Sequence, residues 1–515
     1  MHEPVSDQKN TDILPVAGVR PKEWYEAGPA EETCAPRSYT RFERIAAWLF
    51  IPLGYAFFRA CPVYRYPLGA MLSVFALFAM TFLLLHKNGR KIRGMALTAC
   101  ISALPVTLSL FLSANAMIHT AAVLYAMAAC TYTVYAACGN TLEEGLSDLL
   151  PMDLLRAVLV LPFASFGELF HAVGAGKALK QSGKVILRVY CGLMLALVPT
   201  LLVVSLLSYD SRFRRSMDEL LSLDLGDLFS HLASLVLGLL LALYLFGLYA
   251  SSSENRCRTL LDGAACRNSA DRMHSFSPVT SCSAAFPLLA VYGVFFFSQW
   301  EQYVSAFSGE LPGDIRYADY AREGFFELCA VSFINLFLLT ATGMFTRRTE
   351  ERRAHPAVRV LHILLSCCTL VLIATAVSKM VLYIDTYGLT PKRVYATWFM
   401  LVLALLFVLV IVKQFVPKLK LIAAAAMVCV AMFALLGVAN VDGRIAEYNV
   451  DRYLDGALET LDVDTLIQLG DAAVPARIRA DVYRAMPVET QTETGIFSIT
   501  LPKIKADLAK AAMEP

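Results

Sequence analysis

Long apolar runs separated by short polar loops make up most of the chain. A helix that crosses a bilayer needs about 20 predominantly apolar residues, within a range of roughly 17–25. Eleven runs meet this requirement, at 45–61, 66–86, 96–114, 118–138, 185–207, 228–250, 283–300, 323–345, 360–384, 394–412 and 421–439. The pattern predicts an all-α fold, a polytopic membrane helix bundle of about eleven transmembrane helices.

Two apolar segments are ambiguous as membrane-crossing helices. The run at 45–61 is interrupted by Pro52, although proline is tolerated in membrane helices. A further segment, 154–170, carries Arg156 and Glu168 among its apolar residues. We interpret that segment as an interfacial or re-entrant helix rather than as a span.

The distribution of basic residues predicts the orientation of the bundle. With the N-terminus in the cytoplasm, the cytoplasmic loops hold twenty Lys and Arg residues and the outer loops hold nine. Such an excess on the cytoplasmic side is the usual signature of membrane topology. If 154–170 crossed the bilayer, every later loop would change sides and most of this bias would reverse. The sequence therefore predicts a cytoplasmic N-terminus and an extracytoplasmic C-terminus.

Polar segments flank the predicted bundle, which occupies 45–439. Residues 1–44 are polar and lean acidic, so they are predicted to be a disordered cytoplasmic tail. Residues 440–515 contain thirteen acidic and eight basic residues and are predicted to form a small helical extracytoplasmic tail. Within that tail, Asp464 is the predicted N-cap of a short helix and Gly470 its predicted stop.

Composition narrows the class of protein and its partners. Charged residues make up only 17% of the chain and the mean hydropathy is +0.56. Soluble chains carry about 25% charged residues, so a soluble enzyme of the usual kind is excluded. A formal net charge of +2 gives no indication of nucleic acid binding. The expected partner is the lipid bilayer.

No familiar catalytic or cofactor motif occurs in the sequence. The chain lacks the phosphate loop, the dinucleotide fingerprint, the nucleophile elbow and the zinc-binding H-E-x-x-H pattern. Most of its 13 cysteines lie inside apolar runs, and their spacing matches no common zinc site. No catalytic residue, cofactor or metal ligand is therefore predicted.

The most unusual polar residues lie between the seventh and ninth runs. Glu323 and Glu327 are four residues apart and share a helix face. The group also includes Gln299 at the end of the seventh run, Asn335 near the middle of the eighth and Lys379 inside the ninth. One interpretation is a polar pocket, open to the outside, that binds a proton, an ion or a small polar solute. The other is a structural clasp in which Glu327 pairs with Lys379 at matched depth.

Three stretches carry a resemblance to a known family. They are YADYAREGFFELCAVSFINL at 317–336, SKMVLYIDTYGLTPKRVYATW at 378–398 and ANVDGRIAEYNVDRYL at 439–454, the last followed by LDVDTLIQLGDAAVP at 461–475. They resemble the bacterial multi-pass membrane proteins named domain of unknown function 4173. The likeness runs from about residue 280 onward and extends to the earlier spans by hydropathy only. The resemblance implies a protein of the bacterial cytoplasmic membrane and implies no activity.

Three functions remain open at this stage. We favour a non-catalytic sensory, assembly or envelope-associated subunit that binds a membrane or envelope protein through its outer tail. The alternative is an ion- or proton-coupled transporter or permease that uses the pocket around Glu327, Asn335 and Lys379. The third is an intramembrane enzyme that acts on lipid or cell-wall precursors through acidic residues of the outer loops.

Overall fold

The described part of the chain is helical. The computed structural model describes residues 37–60, 66–143, 145, 147–173, 226–254, 272–298, 325–347, 355–481 and 498–512, together with six isolated positions between 192 and 212. Within these residues the one pairing of extended segments is an isolated bridge between Phe276 and Thr346. The helices from Phe42 onward belong to one compact unit.

Ten helices correspond to predicted spans. They are α1 Arg41–Ala60, α2 Pro67–Lys87, α3 Met95–Leu112, α4 Ala116–Ala137, α8 Gly226–Glu254, α9 Pro278–Ser298, α10 Phe325–Phe345, α11 Pro356–Tyr387, α12 Pro391–Phe415 and α13 Leu421–Val438. In the described residues, eight of them are long and apolar enough to cross a membrane, namely α2, α3, α4, α8, α9, α11, α12 and α13. The prediction of an all-α membrane bundle is confirmed. The predicted span at 185–207 lies outside the described helices.

The ambiguous segment between α4 and α8 has four short helical elements, of which the first three are contiguous and the fourth follows a turn at 165–167. They are α5 Leu150–Leu155, a π-helical turn Arg156–Val160, α6 Leu161–Ala164 and α7 Glu168–Val173. Helix α8 packs closely on them, because a Cβ at Gly247 would lie 2.7 Å from the Pro162 carbonyl oxygen. Tyr244 Oη also donates to the Val158 carbonyl oxygen at 3.0 Å. No continuous helix runs through 150–173, which supports the interfacial or re-entrant interpretation without testing its depth in a bilayer.

Helix α1 is packed into the bundle through a close glycine contact. A Cβ added to Gly54 would clash with the carbonyl oxygen of Gly238 on α8. Small residues permit such close approach of two membrane helices. Between the same two helices, Tyr249 Oη donates to Glu43 Oε1 at 2.7 Å. The Glu43 side chain is buried, so this hydrogen bond compensates for the loss of water around its carboxylate.

The C-terminal segment forms short helices beyond α13. They are α14 Val441–Leu454, α15 Val463–Gln468, a 3₁₀ turn Gly470–Ala473, α16 Val474–Arg479 and α17 Leu501–Ala511. The predicted cap of α15 is wrong by two residues. Asp462, not Asp464, is the N-cap, since its carboxylate accepts from both the backbone N–H and the hydroxyl of Thr465 at 2.9 and 2.6 Å. Gly470 follows the helix with a φ of +60°, as a stop residue should.

Candidate functional site at the junction of bundle and C-terminal helices

The predicted polar group is only partly within the described residues. Gln299 and Glu323 lie outside them. Glu327 lies on α10, but its side chain is outside the described part. Asn335 lies on α10 and Lys379 on α11, where Lys379 is half-buried.

Asn335 holds three helices together. Its side chain is fully buried, its Oδ1 accepts from Tyr292 Oη of α9 at 2.7 Å, and its Nδ2 donates to Thr369 Oγ1 of α11 at 2.8 Å. Side-chain hydrogen bonds between membrane helices favour association, because the alternative is a polar group in hydrocarbon. Asn335 therefore links α9, α10 and α11 through its side-chain hydrogen bonds. A solute-binding pocket around it stays a prediction.

Lys379 lies well along α11 from Asn335. Two bonds, from Asn335 to Thr369 and from Thr342 to His362, show that α10 and α11 run antiparallel. Lys379 is ten residues beyond Thr369, a distance of about 15 Å along a helix. The backbone of Glu327 lies eight residues before Asn335 on α10. Because the two helices are antiparallel, this is about 12 Å in the same direction as Lys379 lies from Thr369. The two residues thus lie toward the same end of the helix pair, while their matched depth in a bilayer and the pairing of their side chains stay predictions.

The turn before α4 binds both α12 and the C-terminal helices. Asn115 caps α4, with Oδ1 accepting from the backbone N–H groups of Met117 and Ile118 at 3.0 and 3.3 Å. Its Nδ2 donates to Tyr395 Oη of α12 at 2.9 Å and to Asp442 Oδ2 of α14 at 3.3 Å. One amide group therefore connects the first helices of the bundle, a late helix and the C-terminal segment.

Asp442 is a buried carboxylate that is only half satisfied. Its side chain is 7% exposed, and its Oδ1 has no hydrogen-bond partner among the described residues. The same holds for Oδ1 of Asn440, which adopts a left-handed φ of +46°. Burial raises the pKa of the Asp442 carboxyl, while the hydrogen bond from Asn115 acts in the opposite direction. The junction thus contains a carboxyl group whose pKa is held above its ordinary value by burial.

A second contact joins α14 to the turn between α11 and α12. The Leu389 backbone N–H donates to Asn449 Oδ1 at 2.7 Å, and Asn449 Nδ2 donates back to the Leu389 carbonyl at 2.8 Å. The amide side chain therefore pairs with a peptide unit as a neighbouring strand would. Gly388 permits this approach, since its φ is +75° and a Cβ there would lie 2.7 Å from Asn449 Oδ1.

Two arginines from different helices bind the same turn. Arg452 of α14 donates from Nη1 to Asp385 Oδ1 at 2.9 Å and from Nη2 to the Asp385 carbonyl at 3.1 Å. Arg393 of α12 donates to the carbonyls of Tyr387 and Gly388. Its guanidinium also stacks on the ring of Tyr383, 3.9 Å from the centroid. The end of α11 is thereby fixed to both α12 and α14.

An apolar core lies beneath these polar contacts. Ile445, Val450 and Leu466 of the C-terminal helices are buried together with Leu436 at the end of α13. Half-buried Trp398 packs against them from α12 and donates from Nε1 to the Met432 carbonyl at 3.1 Å. The C-terminal helices are therefore packed on the bundle rather than merely tethered to it.

Sequence reasoning found part of this junction. The resemblance brought together 378–398 and 439–454, which hold the Asn449, Arg452 and Asp385 contacts. Asn115 was missed, because a polar residue in a turn between two spans carries no signal of a partner more than 300 positions away.

The comparisons with known proteins bear on the family. A family model described as Domain of unknown function (DUF4153) matches residues 56–480. The family number 4173 given on the basis of resemblance is therefore wrong, whereas the expectation of a family without an assigned function is consistent with the match. The match also begins much earlier than residue 280. No curated protein and no solved structure matches the chain.

Proposed function

The chain belongs to the family Domain of unknown function (DUF4153), and we propose that it is a non-catalytic membrane subunit. In this proposal the C-terminal helices form a platform that binds a membrane or envelope protein. One observation carries it: α14 is fixed to the bundle by side-chain contacts at Asn449 and Arg452, while Tyr453 and Leu454 in the same last turn remain exposed.

The exposed end of α14 has the composition of a docking surface. Tyr453 and Leu454 are 40% and 57% exposed. Asp455 follows them directly and is exposed, as is Glu459 four residues further on, and the exposed Asp451 pairs with Arg479 at 3.0 Å. Interfaces favour an aromatic and apolar centre with a polar rim, and charges across them are complementary. The partner's contact surface is therefore one with apolar side chains ringed by Lys and Arg.

The proposal includes an orientation in the bacterial cytoplasmic membrane. The excess of Lys and Arg in alternate loops supports a cytoplasmic N-terminus and an extracytoplasmic C-terminus. Alkaline phosphatase fused after residue 512 should then be active and a green fluorescent protein fusion there dark. A bright fluorescent fusion with an inactive phosphatase fusion would reverse the orientation.

The docking proposal is tested by photo-crosslinking in intact membranes. A benzoylphenylalanine replaces Leu454 in one full-length chain and the exposed Asp464 in a matched control. The expected result is one protein adduct at 454, absent at 464. Charge reversal with Asp455→Lys and Glu459→Lys should remove that adduct. Equal adducts at both positions, no adduct, or insensitivity to charge reversal would each sink the proposal.

A second candidate, ion- or proton-coupled transport, is favoured by the broken segment before α8. Its π-helical turn begins at Arg156, and both Arg156 and Asp153 are buried. Asp153 Oδ1 accepts from Tyr135 Oη at 2.6 Å and from the Leu142 backbone N–H at 3.0 Å. Burial raises the pKa of Asp153, and these two bonds act in the opposite direction. Broken helices and buried ionisable groups mark ion pathways in transporters.

Flux in proteoliposomes distinguishes the second candidate from the first. Transport requires cation- or proton-dependent flux that Asp153→Asn abolishes, with Asp148→Asn as a variant outside α5. If a panel of cations and small polar solutes shows no flux, the transport candidate is rejected and docking remains as the proposed function.

A further inference from the structure

Helix α17 exposes an apolar stripe on the face opposite to its packing contacts. Pro502 and Ala506 are buried where the helix packs on α16 and on the 3₁₀ turn. Ile504 and Leu508 are 37% and 67% exposed. At 100° per residue, Leu501, Ile504, Leu508 and Ala511 fall within about 80° of one another on the far side.

The charges of α17 differ in sign from those of its surroundings. All three lysines of residues 440–515, which are Lys503, Lys505 and Lys510, lie in this helix beside a single acid, Asp507. The other residues of that segment comprise twelve acids and five bases. On a helical wheel Lys505 lies about 40° from one edge of the apolar stripe, Asp507 lies about 40° from the other edge, and Lys503 and Lys510 lie beyond Asp507 toward the packed face.

The position of α17 is at an end of the bundle. It contacts α3, one of the helices long and apolar enough to cross a membrane. Helix α3 ends at Leu112, and the turn after it bonds the C-terminal segment through Asn115 and Asp442. The C-terminal segment therefore lies at the end of α3 where the chain leaves the apolar layer.

We propose that α17 binds the surface of the bilayer, with Ile504 and Leu508 inserted among the acyl chains and Lys505 on anionic phospholipid headgroups. An amphipathic helix with an apolar face and flanking lysines is the usual element for such binding, because apolar burial and electrostatic attraction add. Lysine side chains can extend their apolar stems along the interface while keeping the ammonium group hydrated. This inference is independent of the docking role of α14, which involves a different helix.

The test uses the full-length chain in lipid nanodiscs. Benzoylphenylalanine replaces the exposed Leu508 in one protein and the exposed Glu459 in a matched control. After irradiation, intact mass spectrometry measures adducts in discs of phosphatidylcholine mixed with phosphatidylglycerol. The expected result is a mass increase of one phospholipid at position 508 and none at 459.

A charge arm separates anionic lipid binding from apolar contact alone. In the mixed discs the adducts at 508 should be enriched in phosphatidylglycerol over its share of the lipid, and Lys505→Glu should remove that enrichment. No lipid adduct at 508, a crosslink from 508 to the chain itself or to a second protein, or adducts without any phosphatidylglycerol preference would overturn the proposal.

Discussion

The side-chain amide of Asn115 donates to the carboxylate of Asp442 across 3.3 Å and 327 positions of sequence. This bond joins the turn between α3 and α4 to the first turn of α14. It leaves the other carboxylate oxygen of Asp442 buried and without a partner in the described residues. Such an unsatisfied buried charge is costly for the folded state, which makes Asp442 sensitive to pH.

We expect Asp442→Asn to change how stability depends on pH. Burial raises the folded pKa of Asp442 above the unfolded value of about 3.9. The folded state then binds the proton more tightly, so the free energy of unfolding falls as pH rises from the unfolded to the folded pKa and stays lower above it. The amide keeps an acceptor for Asn115 without the charge, so the variant should be more stable than the parent at neutral pH.

Thermal unfolding in detergent between pH 4 and pH 8 would measure this effect. Asp455→Asn, at an exposed carboxylate at the opposite end of α14, is the control. A lower neutral-pH stability for Asp442→Asn, with an unchanged pH dependence, would contradict the expectation.

Gly388→Ala should destabilise the protein more than Gly456→Ala. Both glycines have a positive φ, +75° and +73°, which strains an alanine, and Gly388 combines it with a ψ of −180°, a region that only glycine adopts readily. A Cβ at Gly388 would additionally lie 2.7 Å from Asn449 Oδ1, whereas no described atom lies within 4 Å of one at Gly456. The difference between the two variants in unfolding temperature reports the contact with Asn449 together with the stricter backbone requirement at Gly388. Equal losses would show that this contact is not tight in solution.

Asn449→Ala should loosen α14 from the turn at Leu389. It removes both hydrogen bonds of the pair and leaves a backbone donor and acceptor unsatisfied, a loss of about 1–3 kcal/mol. Hydrogen exchange at 387–390 should accelerate, while exchange in α9 should not. Thr460→Ala, an exposed change in the same segment, serves as the control. If the amides at 387–390 exchange as slowly in Asn449→Ala as in the parent, the pairing of Asn449 with Leu389 does not hold this turn.

A double-mutant cycle on Glu327 and Lys379 tests the predicted clasp. We expect Glu327→Gln and Lys379→Met each to lower thermal stability, since each leaves one charge without its partner in an apolar layer. The double variant should recover much of the loss, which is the signature of direct coupling. If all three variants unfold at the temperature of the parent, the charges do not hold the fold. Flux assays on the same variants would then take precedence.

Some local features of the chain could be predicted from the sequence, whereas others depend on contacts with neighbouring residues. Gly470 was placed correctly as a helix stop because a left-handed residue is a local requirement. The cap of α15 was misplaced because two aspartates stand at Asp462 and Asp464, and only the bond to Thr465 decides between them. Asn335 was identified as unusual, but its partners Tyr292 and Thr369 were not.

The sequence by itself determined the class of protein and the extent of its helices. Transfer of an apolar segment into lipid is a property of that segment alone, so hydropathy and length are sufficient to predict it. Only the tertiary structure decided which polar groups meet, as Asn115 with Asp442 and Asn449 with Leu389 do. Hydrogen bonds are directional and short, so they depend on the packing of helices that are distant in sequence.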